Sequence, residues 1–249
     1  MSEARRWSLV VPMWNESARI EATVAALATA FGERPVQVIF VDDGSDDGTP
    51  DIVERACKEA ALDAELLRLP TNQGKGAAVR AGLLGATGDT AGFVDADLSA
   101  GPAEIERVFG AVDGGRYDVA LATRAAADAT ITVRQPFGRR WSGWLFNIGL
   151  RATGLTTMAD TQCGLKAFRA GVVPALFEPL VATGFAFDVE VLARADHLGL
   201  TVTEVPIAWH HVEGSRLSPV RDGLATLREA WRVRRALSAE RRRAPSRPR

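Results

Sequence analysis

Two aspartates one residue apart, in Phe93-Val-Asp95-Ala-Asp97-Leu-Ser99, close an apolar run. Alternate residues of a strand share a face, so both carboxylates can converge on one ligand. Oxygen donors of this kind suit a hard divalent cation, Mg2+ or Mn2+. Held over a diphosphate, such a cation stabilises the negative charge that develops on a leaving group. Asp97 and Asp95 are the candidate ligands, with Ser99 as a third. D-x-D also ends ordinary solvated strands, so the surrounding elements decide its meaning.

Three apolar runs end in polar loops. Ser8-Leu-Val-Val-Pro12-Met leads into Trp14-Asn15-Glu16-Ser17, and Val36–Val41 leads into Asp42-Asp43-Gly44-Ser45; the third is the run that ends at the aspartate pair. Open α/β sheets bind ligands where strands end at their carboxyl edge, so these loops mark a cleft. Strands are predicted near 8–13, 36–42, 64–69, 90–95, 117–122 and 201–206. Helices are predicted near 17–31, 49–61, 75–87, 102–112, 137–153, 187–199 and 219–237. The alternation predicts an α/β fold with a largely parallel sheet.

Other uses of these residues fail on detail. A dinucleotide fingerprint would place glycines in the first strand-to-helix turn, where Pro12-Met-Trp14-Asn15-Glu16 has none. Gly74-Lys75-Gly76 opens a helix and can approach phosphate through backbone N–H groups, but it is not the P-loop pattern. Cys57 and Cys163 are the only cysteines, far apart and without a histidine cluster, which argues against a zinc site or a disulfide framework. His197, His210 and His211 lack ligand spacing. With 30 Lys and Arg against 31 Asp and Glu, near-neutral charge argues against nucleic acid as a partner.

The ordered set P-x-x-N-E, V-D-D-G-S, G-K-G and D-A-D resembles the nucleotide-sugar-binding half of the GT-A glycosyltransferases of family 2. In the second half Asp160-Thr-Gln-Cys-Gly-Leu-Lys166-Ala-Phe168, Phe185-Ala-Phe187-Asp188-Val-Glu190, Glu204-Val-Pro206 and Gly214-Ser215-Arg216 resemble the dolichyl-phosphate β-glucosyltransferase and polyprenyl-phosphate sugar synthase branch. The likeness spans about residues 8–235. It implies a GT-A catalytic domain over 1–237, Rossmann-like, with a mostly parallel sheet flanked by helices, followed by a basic, disordered tail over 238–249. Pro12, Trp14, Asn15 and Glu16 match the base-binding first loop, with Trp14 in place of a frequent Tyr. Asp43 matches the nucleotide contact, and Asp42 orients its loop.

The resemblance further implies an inverting, metal-dependent hexosyltransferase. Its donor would be a nucleotide sugar, UDP-glucose before other UDP-hexoses or GDP-mannose, and its acceptor polyprenyl phosphate. Arg124 and Arg139 or Arg140 are candidates to grip the acceptor phosphate, because guanidinium matches phosphate bidentately; Arg216 could close over the donor diphosphate. Asp160 is an active-site carboxylate, either a base or a positioner of the acceptor and Lys166. A phosphate monoester has a second pKa near 6, which weakens the need for a base. Asp188 and Glu190 suit structure as well as catalysis. Gln135-Pro-Phe-Gly-Arg-Arg-Trp141 departs from the Q-x-x-R-W of processive synthases. A soluble transferase for a small molecule or protein, and a silent nucleotide-sugar-binding module, are the rival readings.

Neither a signal-peptide region nor the roughly 20 apolar residues of a membrane span is evident. The predicted location is therefore cytoplasmic and peripheral, at the inner face of the cell membrane. Trp141, Trp144, Leu145 and Ile148 form one stripe of the 137–153 helix, a core face or a headgroup-level face. The last helix sets Val220, Leu224, Leu227 and Trp231 on one side against Arg228, Arg232 and Arg235 on another. Its arginines suit an anionic membrane surface.

Overall fold

The computed structural model describes residues 6–124, 155, 158, 160–209 and 219–243. The apolar runs form strands because their alternate side chains are buried on opposite faces of one sheet. Strands β1 (Trp7–Met13), β2 (Val36–Asp42), β3 (Ala64–Arg68), β4 (Thr90–Val94), β5 (Val119–Thr123), β6 (Leu165–Arg169) and β7 (Val202–Pro206) lie in the order β3-β2-β1-β4-β6-β5-β7. All neighbours are parallel except β6, which runs antiparallel to both β4 and β5.

Leu9, Val11, Val38 and Phe40 face one core with α1 (Ile20–Phe31), α2 (Thr49–Glu59) and α4 (Pro102–Asp113). Val10, Ile39, Val41 and Phe93 face the other. That core is built by α3 (Lys75–Leu84), α5 (Val173–Phe177), α6 (Phe187–Leu198) and α7 (Pro219–Arg243). The sheet is thus the middle of three layers, the solution expected when both faces of each strand are apolar.

Several boundaries differ from the sequence reading. β6 was not foreseen: Lys166 interrupts a five-residue run, and its burial rests on Asp188, 22 positions away in sequence. α1 begins at Ile20 rather than 17, because the N–H groups of Asn15, Glu16 and Ser17 donate to Ser45, Thr49 and Asp47 in the neighbouring loop. β4 stops at Val94, and Leu98 N–H donates to Asp95 O to close a turn. The two aspartates therefore lie in a turn, not in the pleat of a strand. α7 extends to Arg243, making helix of residues 238–243, where the sequence reading placed the start of a tail. Among the described residues no helix is long and apolar enough to cross a membrane.

Candidate functional site

β1, β2, β4 and β5 point the same way, so the loops after Met13, Asp42, Val94 and Thr123 meet at one sheet edge, joined there by the segment that enters the antiparallel β6. β1 connects toward β2 on one side and pairs with β4 on the other. A crevice opens where strand order reverses in this way. Pro12 sits where β1 has already parted from β4, whose pairing ends at Val10↔Phe93, so its missing N–H breaks no ladder bond on that side.

Two loops are tied together on the β1–β2 side. Asn15 exchanges side-chain hydrogen bonds with Asp46, donating at 2.9 Å and accepting the Asp46 N–H at 3.0 Å. Its φ of 55° is one that Asn tolerates. Glu16 pairs with Arg19 at 2.6 Å. Trp14 is 45% exposed beside them, leaving an aromatic face open for stacking. Asp42 receives the Ser45 N–H, while its Oδ1 is buried without a hydrogen-bond partner among the described residues.

Asp43 is buried, and its carboxylate accepts the Gln73 and Gly74 N–H groups, each at 2.8 Å. Burial pushes its pKa up, partly opposed by those two bonds. The side chain thus fastens the loop before α3. Gly44 makes this approach possible: at φ +71°, a Cβ would lie 2.6 Å from the Thr71 carbonyl carbon.

At the D-x-D turn, Lys75, the first residue of α3, places Nζ 2.5 Å from Asp95 Oδ1. Burial disfavours its charge, but Asp95, Asp188 and Asp97 outweigh that and raise its pKa above the usual lysine range. Both aspartates of the turn are therefore within electrostatic reach of one ammonium. The other Asp95 oxygen lies against Gly164, where an added Cβ would overlap the carboxylate. Asp97 Oδ1 accepts the Ser99 N–H at 2.9 Å, and Ser99 Oγ is buried with no hydrogen-bond partner among the described residues.

No group of three or more His, Cys, Asp or Glu able to hold a metal occurs among the described residues. Two carboxylates and an orphaned hydroxyl nevertheless fit a hard cation that completes its shell with substrate phosphate oxygens and water.

On the β5–β6 side, Arg124 clamps Asp160 with Nε and Nη2 at 2.8 and 2.7 Å, and its backbone N–H adds a third bond at 2.9 Å. Burial alone would raise the Asp160 pKa, but Arg124 holds it below the ordinary carboxylate range. Trp209 lies under the guanidinium, 5.3 Å from ring centre to Cζ. The carboxylate is saturated by donors and stays ionised, a poor acceptor for a further proton.

Lys166 is fully buried on β6, with Nζ 2.9 Å from Cys163 O and 2.5 Å from Asp188. It supports the site from beneath rather than facing a substrate. Burial drives the Asp188 pKa up against the pull of Lys166 and Lys75, and burial likewise pushes the Cys163 thiol to about 11. Glu190 accepts the Val181 and Ala182 N–H groups and two bonds from Arg194, so it anchors a loop.

Sequence reasoning missed Gly164 as a steric necessity, Trp209 under Arg124, and Thr183, whose carbonyl receives the Ala77 N–H at 3.1 Å in the first turn of α3. Only the glycine carried a local signal, its place in the Asp160–Lys166 motif. Arg139, Arg140, Trp141, Trp144 and Arg216 lie outside the described residues.

A seven-stranded mixed sheet with paired carboxylates, an aromatic and basic side chains at its carboxyl edge has the GT-A architecture. The chain belongs to glycosyltransferase family 2, whose model, Glycosyl transferase family 2, matches residues 8–177. It is 29% identical over 248 residues to dolichyl-phosphate beta-glucosyltransferase of Saccharomyces cerevisiae, spanning 92% of this chain and 74% of that protein. Glycosyltransferase AglD of Haloferax volcanii is 30% identical over 236 residues, 91% of this chain and 37% of that one. A solved structure of Mycobacterium tuberculosis glucosyl-3-phosphoglycerate synthase, in complex with Mg2+ and uridine diphosphate, superposes with a TM-score of 0.67 at 20% identity. That match covers 92% of this chain and 78% of the other; at this identity, what is shared is the fold.

Proposed function

We propose that the protein transfers glucose, with inversion, from UDP-glucose to a polyprenyl phosphate. The observation that carries this reading is one sheet edge holding two differently built charge sites. The D-x-D turn with Lys75 suits a donor diphosphate, and the Arg124–Asp160 pair suits an anionic acceptor. The names of the relatives, dolichyl-phosphate beta-glucosyltransferases among them, support this choice of donor and acceptor.

Trp14 stacks on the base, and the clasped loops of Asn15 and Asp46 hold it in place. The α3 N-terminus and Lys75 face the diphosphate. Arg124, held flat by Asp160 and Trp209, orients the acceptor phosphate with Nη1, which lies outside the clamp. The acceptor oxygen forms its bond to the anomeric carbon as the bond from that carbon to the diphosphate breaks and its electron pair leaves with the nucleotide. An acceptor already ionised near neutrality requires no proton removal, which agrees with an Asp160 saturated by N–H donors. Asp95 and Asp97, with Ser99 beside them, would hold Mg2+ or Mn2+, and that ion supplies charge neutralisation for the leaving diphosphate.

The surface of α7 favours a peripheral membrane location. Trp231 is 56% exposed, and the exposed Arg228, Arg232, Arg234 and Arg235 surround it. Trp and Arg together suit the headgroup level of an anionic leaflet.

The test is turnover with Mn2+, polyprenyl phosphate and a panel of UDP- and GDP-sugars, with mass spectrometry of the lipid. Glucosylated lipid phosphate is the expected product, and Asp97→Asn should lower kcat by about 10²- to 10³-fold while circular dichroism stays unchanged. Glucose delivered equally well to a water-soluble phosphate would favour the soluble-transferase reading, and UDP-sugar binding without turnover the binding module.

A further inference from the structure

Lys75 is held on a platform with little freedom. Asp43 fixes the two residues before it, and Thr183 O receives the Ala77 N–H two residues after it. Its flanking glycines admit no side chain: a Cβ at Gly74 would lie 2.6 Å from Thr183 O, and one at Gly76 would lie 2.8 Å from Phe187 Cβ. From this platform the ammonium reaches Asp95 Oδ1, with a side chain only 17% exposed. The second oxygen of Asp95 lies against Gly164, which leaves Oδ1 as the oxygen on the open side. Behind the pair, Lys166 and Asp188 neutralise one another in the core.

A divalent cation held by Asp95 and Asp97 therefore meets a positive charge already seated on one of its two carboxylates. Ammonium and metal repel at such separations, and the oxygen they share cannot serve both fully. An arriving diphosphate changes the balance, since its anionic oxygens offer Lys75 an acceptor other than Asp95.

We propose that Lys75 is a resident competitor at the D-x-D turn. It makes divalent-cation binding conditional on the nucleoside diphosphate, to which its ammonium passes from Asp95. The consequence is positive coupling between the two ligands, which is reciprocal by linkage. Metal is held weakly by the free protein, and the site assembles when donor and metal are both present. This inference rests on the metal reading given under Proposed function.

Mn2+ titrations of the full chain followed by electron paramagnetic resonance, with and without UDP, provide the test. For the wild type, UDP should raise Mn2+ affinity at least about tenfold, and Mn2+ should raise UDP affinity equally. Lys75→Gln should bind Mn2+ alone about tenfold more tightly than the wild type and show an enhancement by UDP that is smaller by that same factor. Lys75→Arg, which keeps the charge, should stay close to the wild type. Equal Mn2+ affinity of the wild type with and without UDP overturns the proposal, whatever the variants do. So does a Lys75→Gln affinity for Mn2+ no tighter than that of the wild type. A different result, no Mn2+ binding by the wild type under either condition, removes the metal reading itself.

Discussion

Lys75, Lys166 and Arg124 each meet a carboxylate at this sheet edge, yet the three pairs differ in exposure and so in use. The Lys166–Asp188 pair is fully buried and can only support. Lys75–Asp95 opens to solvent on the carboxylate side, with 38% of the Asp95 side chain exposed. Arg124–Asp160 lies between them, its guanidinium 30% and its carboxylate 9% exposed. Breaking a buried pair from one side leaves an uncompensated charge, so Asp160→Asn should destabilise the protein by about 2–4 kcal/mol at neutral pH. The folded-state pKa of Asp160 is depressed. Its contribution is therefore present above the unfolded value of about 3.9 and is lost as pH falls through the folded value. Urea unfolding at pH 7 and pH 3 should show a wild-type advantage at the first pH that narrows at the second.

At the scale of elements, the antiparallel β6 decides the site. Its N-terminal approach brings Gly164 against Asp95, with the Asp95 N–H donating to Gly164 O at 2.9 Å. Gly164→Ala would drive a methyl group into the carboxylate. The expected outcome is a loss of about 1–3 kcal/mol in stability together with weakened Mn2+ binding in the presence of UDP, read by thermal melting and by titration. An unaltered Mn2+ affinity would mean that Asp95 can move away without consequence for the metal. α7 reaches the same site indirectly: Glu229 accepts the Gly184 N–H at 3.1 Å, next to the Thr183 carbonyl that meets α3.

For the whole molecule, the face that α7 turns to solvent is the surface that the proposed function assigns to an anionic membrane. Thr226, Ala230, Val233 and Leu237 are buried, while Trp231 and the arginines around it are not. Removing residues 238–249 would be an unclean test of membrane binding, because Glu240 pairs with the largely buried Arg194. Point changes avoid this. Trp231→Ala combined with Arg232→Glu and Arg235→Glu should weaken co-sedimentation with anionic vesicles by about tenfold or more, given about 1 kcal/mol per basic residue near such a surface. Salt should reproduce part of the loss. Unchanged sedimentation would remove α7 as a membrane-binding surface.

The sequence alone determined the elements whose cause is local. Apolar runs with polar ends made β1, β2 and β4 legible, and the loop motifs singled out Trp14, Asp95, Asp97, Arg124 and Asp160 as candidates at the carboxyl edge of the sheet. Three-dimensional packing decided what no local pattern encodes. β6 was hidden because a lysine in a five-residue run reads as polar until Asp188, 22 positions away, neutralises it. Nothing local to Asp43 foretells its two N–H partners, which only the passage of residues 71–74 across Gly44 supplies. Trp231 shares a helical stripe with apolar residues on paper, but the turn of α7 against α6 and the sheet buries Ala230 and Val233 instead. A stripe fixes which residues lie together; the surface it meets fixes which of them leave water.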